Sequence, residues 1–338
     1  VIDFRYHLVS IVAIFLALTV GIVLGSTVLE PTFYKSTEEL TATLRQNNEK
    51  YLAQISDLQA REEGNDALVT AHTEELVRAA LAGEHVVLVE APGAPAALRD
   101  PLQQLLADAG AVFTGRISLT DKFTAKDQTG VVDGLATSLT APGAGFPEGA
   151  TPYDKAAALL AGAIVTTDPA EAGQPNPAAA GVLEAFEKGD FLIKSGNPAQ
   201  RATLAIVLAP AQPYEGESAE QETAAIVSVA AGLDAAALGT VLAGDVSASS
   251  AGGVIAALHD NGEAASNVST VDTADLAAGR VVVVYALREQ LVGRSGAYGI
   301  GPGVAAFEPA PGSGPAGGET PAASPSPGPE PSPAGTRG

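Results

Sequence analysis

Between Leu8 and Leu29 the chain runs for 22 residues without a charge, LVSIVAIFLALTVGIVLGSTVL. Wound as a helix, at about 1.5 Å per residue, this run reaches roughly 30 Å, the thickness of a hydrocarbon core. A signal peptide carries a shorter apolar region ahead of small residues. Gly25-Ser26-Thr27 offers such small residues, but the apolar run is longer than a cleaved signal needs. We read residues 8–29 as an uncleaved single-pass anchor behind a short cytoplasmic N-terminus, residues 1–7. Arg5 and the α-amino group precede the span, while Glu30, Lys35, Glu38 and Glu39 follow it. That bias places the N-terminus inside and the bulk of the chain outside the cell membrane. The chain opens on Val1, which we read as a start codon translated literally or a missing upstream residue, with the N-terminus nearly complete.

Small residues recur every fourth position in the span, at Ala13, Ala17, Gly21 and Gly25. They form a shallow groove on one helix face, and a GxxxG pair of this kind lets two helices approach closely. Chance is the competing explanation, because Ala and Gly are frequent throughout the chain. From Phe33 to Glu63 there is neither Pro nor Gly, and Glu, Gln, Leu, Arg and Lys dominate, all good helix formers. Phe33, Leu40, Asn47 and Gln54 repeat at one heptad core position, and Thr37, Leu44, Tyr51 and Leu58 at the other. A polar Asn47 in such a seam fixes register at some cost in stability. The expectation is a parallel dimeric coiled coil whose seam is Phe33, Leu40, Leu44, Asn47, Tyr51 and Leu58; the alternative is a lone amphipathic helix lying on the domain. Gly64 is expected to break this helix, with a second one over Asp66–Ala82, so that residues 30–82 form a helical stalk.

The remainder alternates apolar runs with amphipathic ones. Strands are expected at Val86–Val89, Val112–Phe113 with Ile117–Leu119, Phe191–Lys194, Thr203–Ala209, Gly239–Ala243, Val268–Val271 and Val281–Ala286. Helices are expected at Leu98–Ala109, Asp154–Val165, Ala178–Lys188, Ala219–Leu233, Ala251–His259 and Leu287–Val292. Near-continuous apolar strands between helices argue for an α/β fold, a doubly wound, mainly parallel, Rossmann-like sheet occupying residues 83–307. Ala141–Pro152 and Asp168–Pro177 are rich in Pro and Gly and read as surface loops. Residues 308–338 follow; from Pro309 onward they hold nine Pro and seven Gly, too few apolar groups to bury, and a disordered tail is expected.

Charge and composition narrow the chemistry. Eighteen Lys and Arg stand against 39 Asp and Glu, a net −21 that excludes a nucleic-acid partner. Without Cys there is no disulfide, iron–sulfur cluster, thiolate zinc site or cysteine nucleophile. Without Met as well, both soft ligands favoured by Cu(I) are gone. The histidines, His7, His72, His85 and His259, are scattered, with no pair at helical spacing. Cu(II) binds His and carboxylates, but these residues define no site. The first strand leads into Glu90-Ala91-Pro92-Gly93-Ala94-Pro95, which lacks the glycine pattern of a dinucleotide loop, and no phosphate-loop signature occurs. Tyr298–Gly303 alternates glycines without a following helix and reads as a turn. The segment from Asp245 to Gly253 follows a strand and precedes a helix, where it reads as a serine cap or as an anion cradle. No GxSxG and no calcium-loop spacing is present. The chain is therefore expected not to be an enzyme and to carry no cofactor of its own.

Several stretches resemble one family. They are Arg5-Tyr6-His7-Leu8-Val9-Ser10 running to Phe15-Leu16-Ala17-Leu18 and Gly21-Ile22-Val23-Leu24-Gly25-Ser26, then Ser118-Leu119-Thr120-Asp121-Lys122-Phe123, then Leu242-Ala243-Gly244-Asp245, and finally Val268-Ser269-Thr270-Val271-Asp272 through Gly279-Arg280 to Tyr298-Gly299. The order of anchor, coiled coil and α/β domain is similar too. On these residues the chain resembles the copper transporter B-like family of actinobacteria. The resemblance implies a membrane-anchored cell-envelope protein with a role in copper homeostasis, by efflux or a channel-like activity, and it admits an outer-membrane location. Copper enters by this resemblance alone. The same architecture suits an alternative role, a non-enzymatic dimeric scaffold or regulator of envelope assembly and division acting through another membrane or envelope protein.

Overall fold

A computed structural model describes residues 4–141, 145–179 and 181–314, with the side chains of residues 26–39 and 263 outside the description. Two compact units succeed one another along the chain, Val1–Asn65 and Asp66–Gly338. The first helix, α1, runs from Phe4 to Val77. Gly64 lies within it rather than ending it: thirteen residues separate Gly64 from the helix end, and a single Gly costs only about 1 kcal/mol against Ala. One stretch of α1, Phe4–Gly25, is long and apolar enough to cross a membrane.

The second unit is an α/β layer structure. Its strands are β1 (His85–Glu90), β2 (Val112–Leu119), β3 (Leu192–Gly196), β4 (Leu204–Leu208), β5 (Gly239–Ala243), β6 (Ser269–Val271) and β7 (Ala297–Tyr298). They lie in the order β3-β2-β1-β4-β5-β6-β7. All neighbours are parallel except β2 and β3. Antiparallel β3 ends at the edge of the sheet where β4 must begin, so residues 197–203 suffice to link them. The helices are α2 (Arg99–Asp108), α3 (Asp121–Thr124), α4 (Thr129–Leu139), α5 (Pro152–Ile164), α6 (Val182–Lys188), α7 (Ala219–Asp234), α8 (Val254–Asp260), α9 (Gly262–Asn267) and α10 (Ala277–Gln290).

Alternate strand residues face opposite layers. Val87, Val89, Ala205, Val207 and Leu242 pack with α5, α7 and α8. Val86, Leu88, Leu204, Ile206, Leu208, Val241 and Ala243 pack with α2, α10 and the end of α1. Both faces of the central strands are thus apolar, as parallel strands under two helical layers require. Thr151 caps α5 in a reciprocal box with Asp154, and Pro152 fits the first helical turn.

Two expectations need correction. Val281–Ala286 is not a strand but the middle of α10. Val281, Val282, Val283, Val284, Ala286 and Leu287 are all buried there, and a helix held between layers can be apolar on every side. Packing has overridden the strand preference of the valine run. Helix α4 was missed because Gly130 and Gly134 weaken its local signal, although it packs along α5. At the far end, Pro309 and Ser313 are buried, so the folded unit continues past residue 307. The rest of the expected tail, residues 315–338, lies outside the described residues.

The end of α1 belongs to the core of the second unit. Val77 and Leu81 are fully buried with α2 and α10. The Tyr285 hydroxyl donates to the Leu76 carbonyl at 3.0 Å. Helix α10 has no side-chain cap from Leu276; instead the Asp66 carboxylate accepts from the Ala277 amide at 3.0 Å. Asp66→Ala is expected to cost about 1 kcal/mol, the worth of a helix cap. Denaturant unfolding of the full chain in detergent measures this, and Asp66→Asn, which keeps the acceptor, should lose less.

Candidate functional site

The residues singled out for helix pairing all lie on α1. The side chains of Ala13 and Ala17 are exposed, Gly21 is exposed, and Gly25 is half-exposed. A Cβ placed on Gly21 or Gly25 would meet nothing within 4 Å. Further along, Leu40, Leu44, Tyr51 and Leu58 are exposed large apolar groups, and Asn47 beside them is exposed. The Phe33 side chain lies outside the described residues. Among the described residues, Ala13, Ala17, Gly21, Leu40, Leu44, Asn47, Tyr51 and Leu58 are thus exposed along α1.

In an open parallel sheet the crevice lies where the strand order reverses, here between β1 and β4 at their carboxyl ends. The loops there are tied to each other. The Ala211 amide donates to the Gly93 carbonyl and the Ala94 amide to the Ala91 carbonyl, both at 3.0 Å. Pro92 has no amide, and its carbonyl accepts from the Tyr214 hydroxyl at 3.0 Å. Two backbone donors of this crevice, the Ala94 and Ala211 amides, are thus turned to neighbouring carbonyls.

Further along the same edge three of the stretches that carry the family resemblance come together. Asp245 follows β5, Asp272 follows β6 and Gly299 follows β7. The segment Asp245–Gly253 forms a short turn: the Asp245 carboxylate accepts from the Ser247 amide at 2.9 Å. Asp272 is buried, and its two carboxylate oxygens accept from the Ile300 amide at 2.9 Å and the Gly301 amide at 2.8 Å. The alternating glycines expected to form a turn thus wrap around one carboxylate. Gly299, at φ +129°, permits this: a Cβ there would sit 1.7 Å from Asp272 Oδ1. A Cβ on Gly279 would lie 1.7 Å from the Thr273 carbonyl, so only glycine lets α10 start so close to β6. Sequence reading gave Asp272 no role of its own; an acid placed directly after a strand, with a glycine run downstream, is the signal that marks it.

His259 sits beside this loop and shares a hydrogen bond of 2.9 Å with the Thr270 hydroxyl. Burial pushes its pKa down, against the opposing pull of Asp272 and Asp260. This is more than a helix-end dipole partner, because the ring joins α8 to β6. No group of three or more His, Asp or Glu able to hold a metal ion occurs among the described residues. The chain has no Cys or Met to offer Cu(I), and the described residues hold no clustered His and carboxylate set that would suit Cu(II).

The His259 ring titrates lower in the folded chain than in the unfolded chain. Stability from this group is complete above about pH 6.5, the usual imidazole value, and is lost as pH falls toward the depressed folded value, because the unfolded state takes up the proton first. His259→Gln should flatten that part of the stability profile, measured by thermal unfolding between about pH 5 and pH 7.5. Asp272→Ala should release the glycine loop and cost about 2 kcal/mol or more, since a carboxylate with two backbone donors is lost.

Comparison with known proteins extends the resemblance to nearly the whole chain. A family model described as "Copper transport outer membrane protein, MctB" matches residues 1–309. Two relatives named copper transporter MctB, from Mycobacterium bovis and Mycobacterium tuberculosis, are each 26% identical over 307 residues, covering 89% of this chain and 97% of theirs. A relative of the same name from Mycobacterium leprae is 28% identical over 314 residues, 90% of this chain and 98% of its own. The match begins ahead of the apolar run and ends at the first buried proline beyond the sheet, so on sequence, order of parts and extent this chain belongs to the MctB family.

Proposed function

We propose that the protein is a membrane-anchored envelope protein that takes part in copper homeostasis as a homodimer, without catalysis of its own. The observation that carries the reading is the family match over residues 1–309, which includes the apolar helix as well as the domain. In this account Leu8–Leu29 spans the cell membrane with the N-terminus in the cytoplasm, and the Rossmann-like, doubly wound domain stands outside. An outer-membrane site is named in the family description. A single apolar helix suits the inner membrane better, because outer membranes of the usual kind carry β-barrels.

The dimer rests on exposed groups on α1. The small residues Ala13, Ala17, Gly21 and Gly25 allow close backbone approach within a bilayer, and the seam from Phe33 to Leu58 continues the pairing beyond it. One apolar helix cannot line a pore, and even a pair offers little polar lining. Copper is therefore cargo handled through a membrane or envelope partner, and the dimer acts by holding that assembly. Soft metal ligands are missing from this chain, so the partner supplies them.

A strain lacking the gene should accumulate copper and stop growing at a lower external copper concentration; unchanged copper content and tolerance would refute the role. The dimer has a clean test because the chain has no native cysteine. Leu44→Cys should give disulfide-linked dimers in oxidised membranes, whereas Arg45→Cys, one residue off the seam, should not. Gly21→Leu combined with Gly25→Leu should reduce the crosslink severalfold. Equal crosslinking at residues 44 and 45 would contradict the seam.

A further inference from the structure

The sheet ends on one side at β3, and that edge is open. In the antiparallel ladder with β2 the Asn197 amide donates to the Thr114 carbonyl at 2.9 Å and the Thr120 amide to the Phe191 carbonyl at 3.1 Å. The bonded positions of this ladder are therefore 191, 193, 195 and 197, and the alternation turns the backbone amides and carbonyls of Leu192, Lys194 and Gly196 outward. Among the described residues no other backbone group pairs with them. A cavity of about 480 Å³ lies beside them, lined by Pro177, Leu183, Lys194, Gly196 and Asn197. An open strand edge of this kind accepts a further strand.

Side chains and charge say which strand fits. Ile193 is 62% exposed on the α2 face. Its cross-strand neighbour Ser118 is turned away to the buried Glu90, to which its hydroxyl donates at 2.5 Å beside the Arg99 fork at 2.6 and 2.9 Å. Two copies of a chain with a net charge of −21 repel wherever acid is in excess. At this edge it is not. Lys122 pairs with Asp190 at 3.8 Å, Lys188 with Glu184 at 3.7 Å and Lys194 with Glu187 at 2.9 Å, which takes three of the chain's seven lysines. On the other face Arg99 and Arg116 stand against Glu90 and Asp100.

Two identical antiparallel strands are self-complementary about a two-fold axis. Centred on Lys194, the pair would set like charges directly opposite each other, which destabilises. Centred on Ser195, it would set Ile193 against Asn197. Centred on Ile193, it brings the two exposed isoleucines together, sets Lys194 opposite Leu192, and lets their outward amides and carbonyls bond across the axis. We infer that β3 pairs antiparallel with β3 of a second copy of this chain, centred on Ile193, so that two seven-stranded sheets join into one. A five-residue strand pair is small beside a standard interface, and it holds only copies already kept close. To that extent the inference rests on the α1 dimer proposed above.

The test uses single cysteines in the full chain in oxidised membranes, since the chain has none of its own. In the inferred register the two residues 193 face each other with Cα atoms about 4.5 Å apart, within disulfide reach. The two residues 195 lie four positions apart along the strands, roughly 14 Å and out of reach. Ile193→Cys should therefore give disulfide-linked dimers, and Ser195→Cys, exposed on the same face, severalfold fewer. Adding Lys194→Pro removes an outward amide without touching the ladder to β2, and should lower the Ile193→Cys crosslink severalfold. Thermal unfolding of that variant checks its fold. No dimer with Ile193→Cys, equal or greater crosslinking with Ser195→Cys, or an Ile193→Cys adduct with a different protein would each overturn the pairing. Leu44→Cys in the same membranes separates the two readings. Dimers at Leu44 without dimers at Ile193 remove only the sheet contact, whereas absence at both removes the helix dimer as well.

Discussion

Phe4–Gly25 presents large apolar side chains along α1 with none of the window buried in the chain. Water does not tolerate such a surface: burial is worth about 25 cal/mol per Å² of apolar area, and a helix apolar on all sides demands an apolar surrounding. The cover must come from a bilayer, from other helices, or from both. The rest of the chain is arranged under that constraint. The apolar window is followed by polar helix with an exposed seam, and only the last turns of α1 enter a core of their own. Asp66, Leu76 and Val77 fix those turns to α10 through a carboxylate cap, a tyrosine hydrogen bond and buried packing.

Inside the second unit, two buried carboxylates do opposite work at the same edge of the sheet. Asp272 faces backbone amides and holds a loop closed; both of its oxygens are satisfied by peptide donors. Glu90 faces side chains and organises arginines. A buried charge needs such partners, since an unpaired one is far costlier than the bond it forgoes. The difference lies in what remains over. Both oxygens of Asp272 are taken up by backbone amides, whereas beside Glu90 the buried Arg116 Nε stands without an acceptor among the described residues.

Much of this could be read from residue order. The parallel strands were visible because both of their faces are buried, which makes Val86–Val89 and Thr203–Ala209 continuous apolar runs. The same signal misled at Val281–Ala286, where a buried helix and a buried strand share one composition. The two-residue β7 carries no pattern to detect. The membrane-length run was legible because it is local. The Glu90 corner was not, because Glu90 meets Arg116 and Ser118 only through strand register and meets Arg99 only through the placement of α2. Asp272 likewise gains its meaning from residues 28 and 29 positions further on.

Copper is the point at which family and residue chemistry have to be reconciled. Membership in the MctB family ties the chain to proteins named copper transporters, yet this chain has neither thiol nor thioether to offer the metal. The account resolves this by making assembly, not coordination, the contribution of the chain. The most direct measurement is cellular copper content in a strain lacking the gene, complemented either with the intact chain or with one carrying Leu44→Asp and Leu58→Asp in the seam. The account predicts that the intact chain restores normal copper and that the seam variant, present in the membrane at equal amount, does not. Full restoration by the seam variant would contradict it.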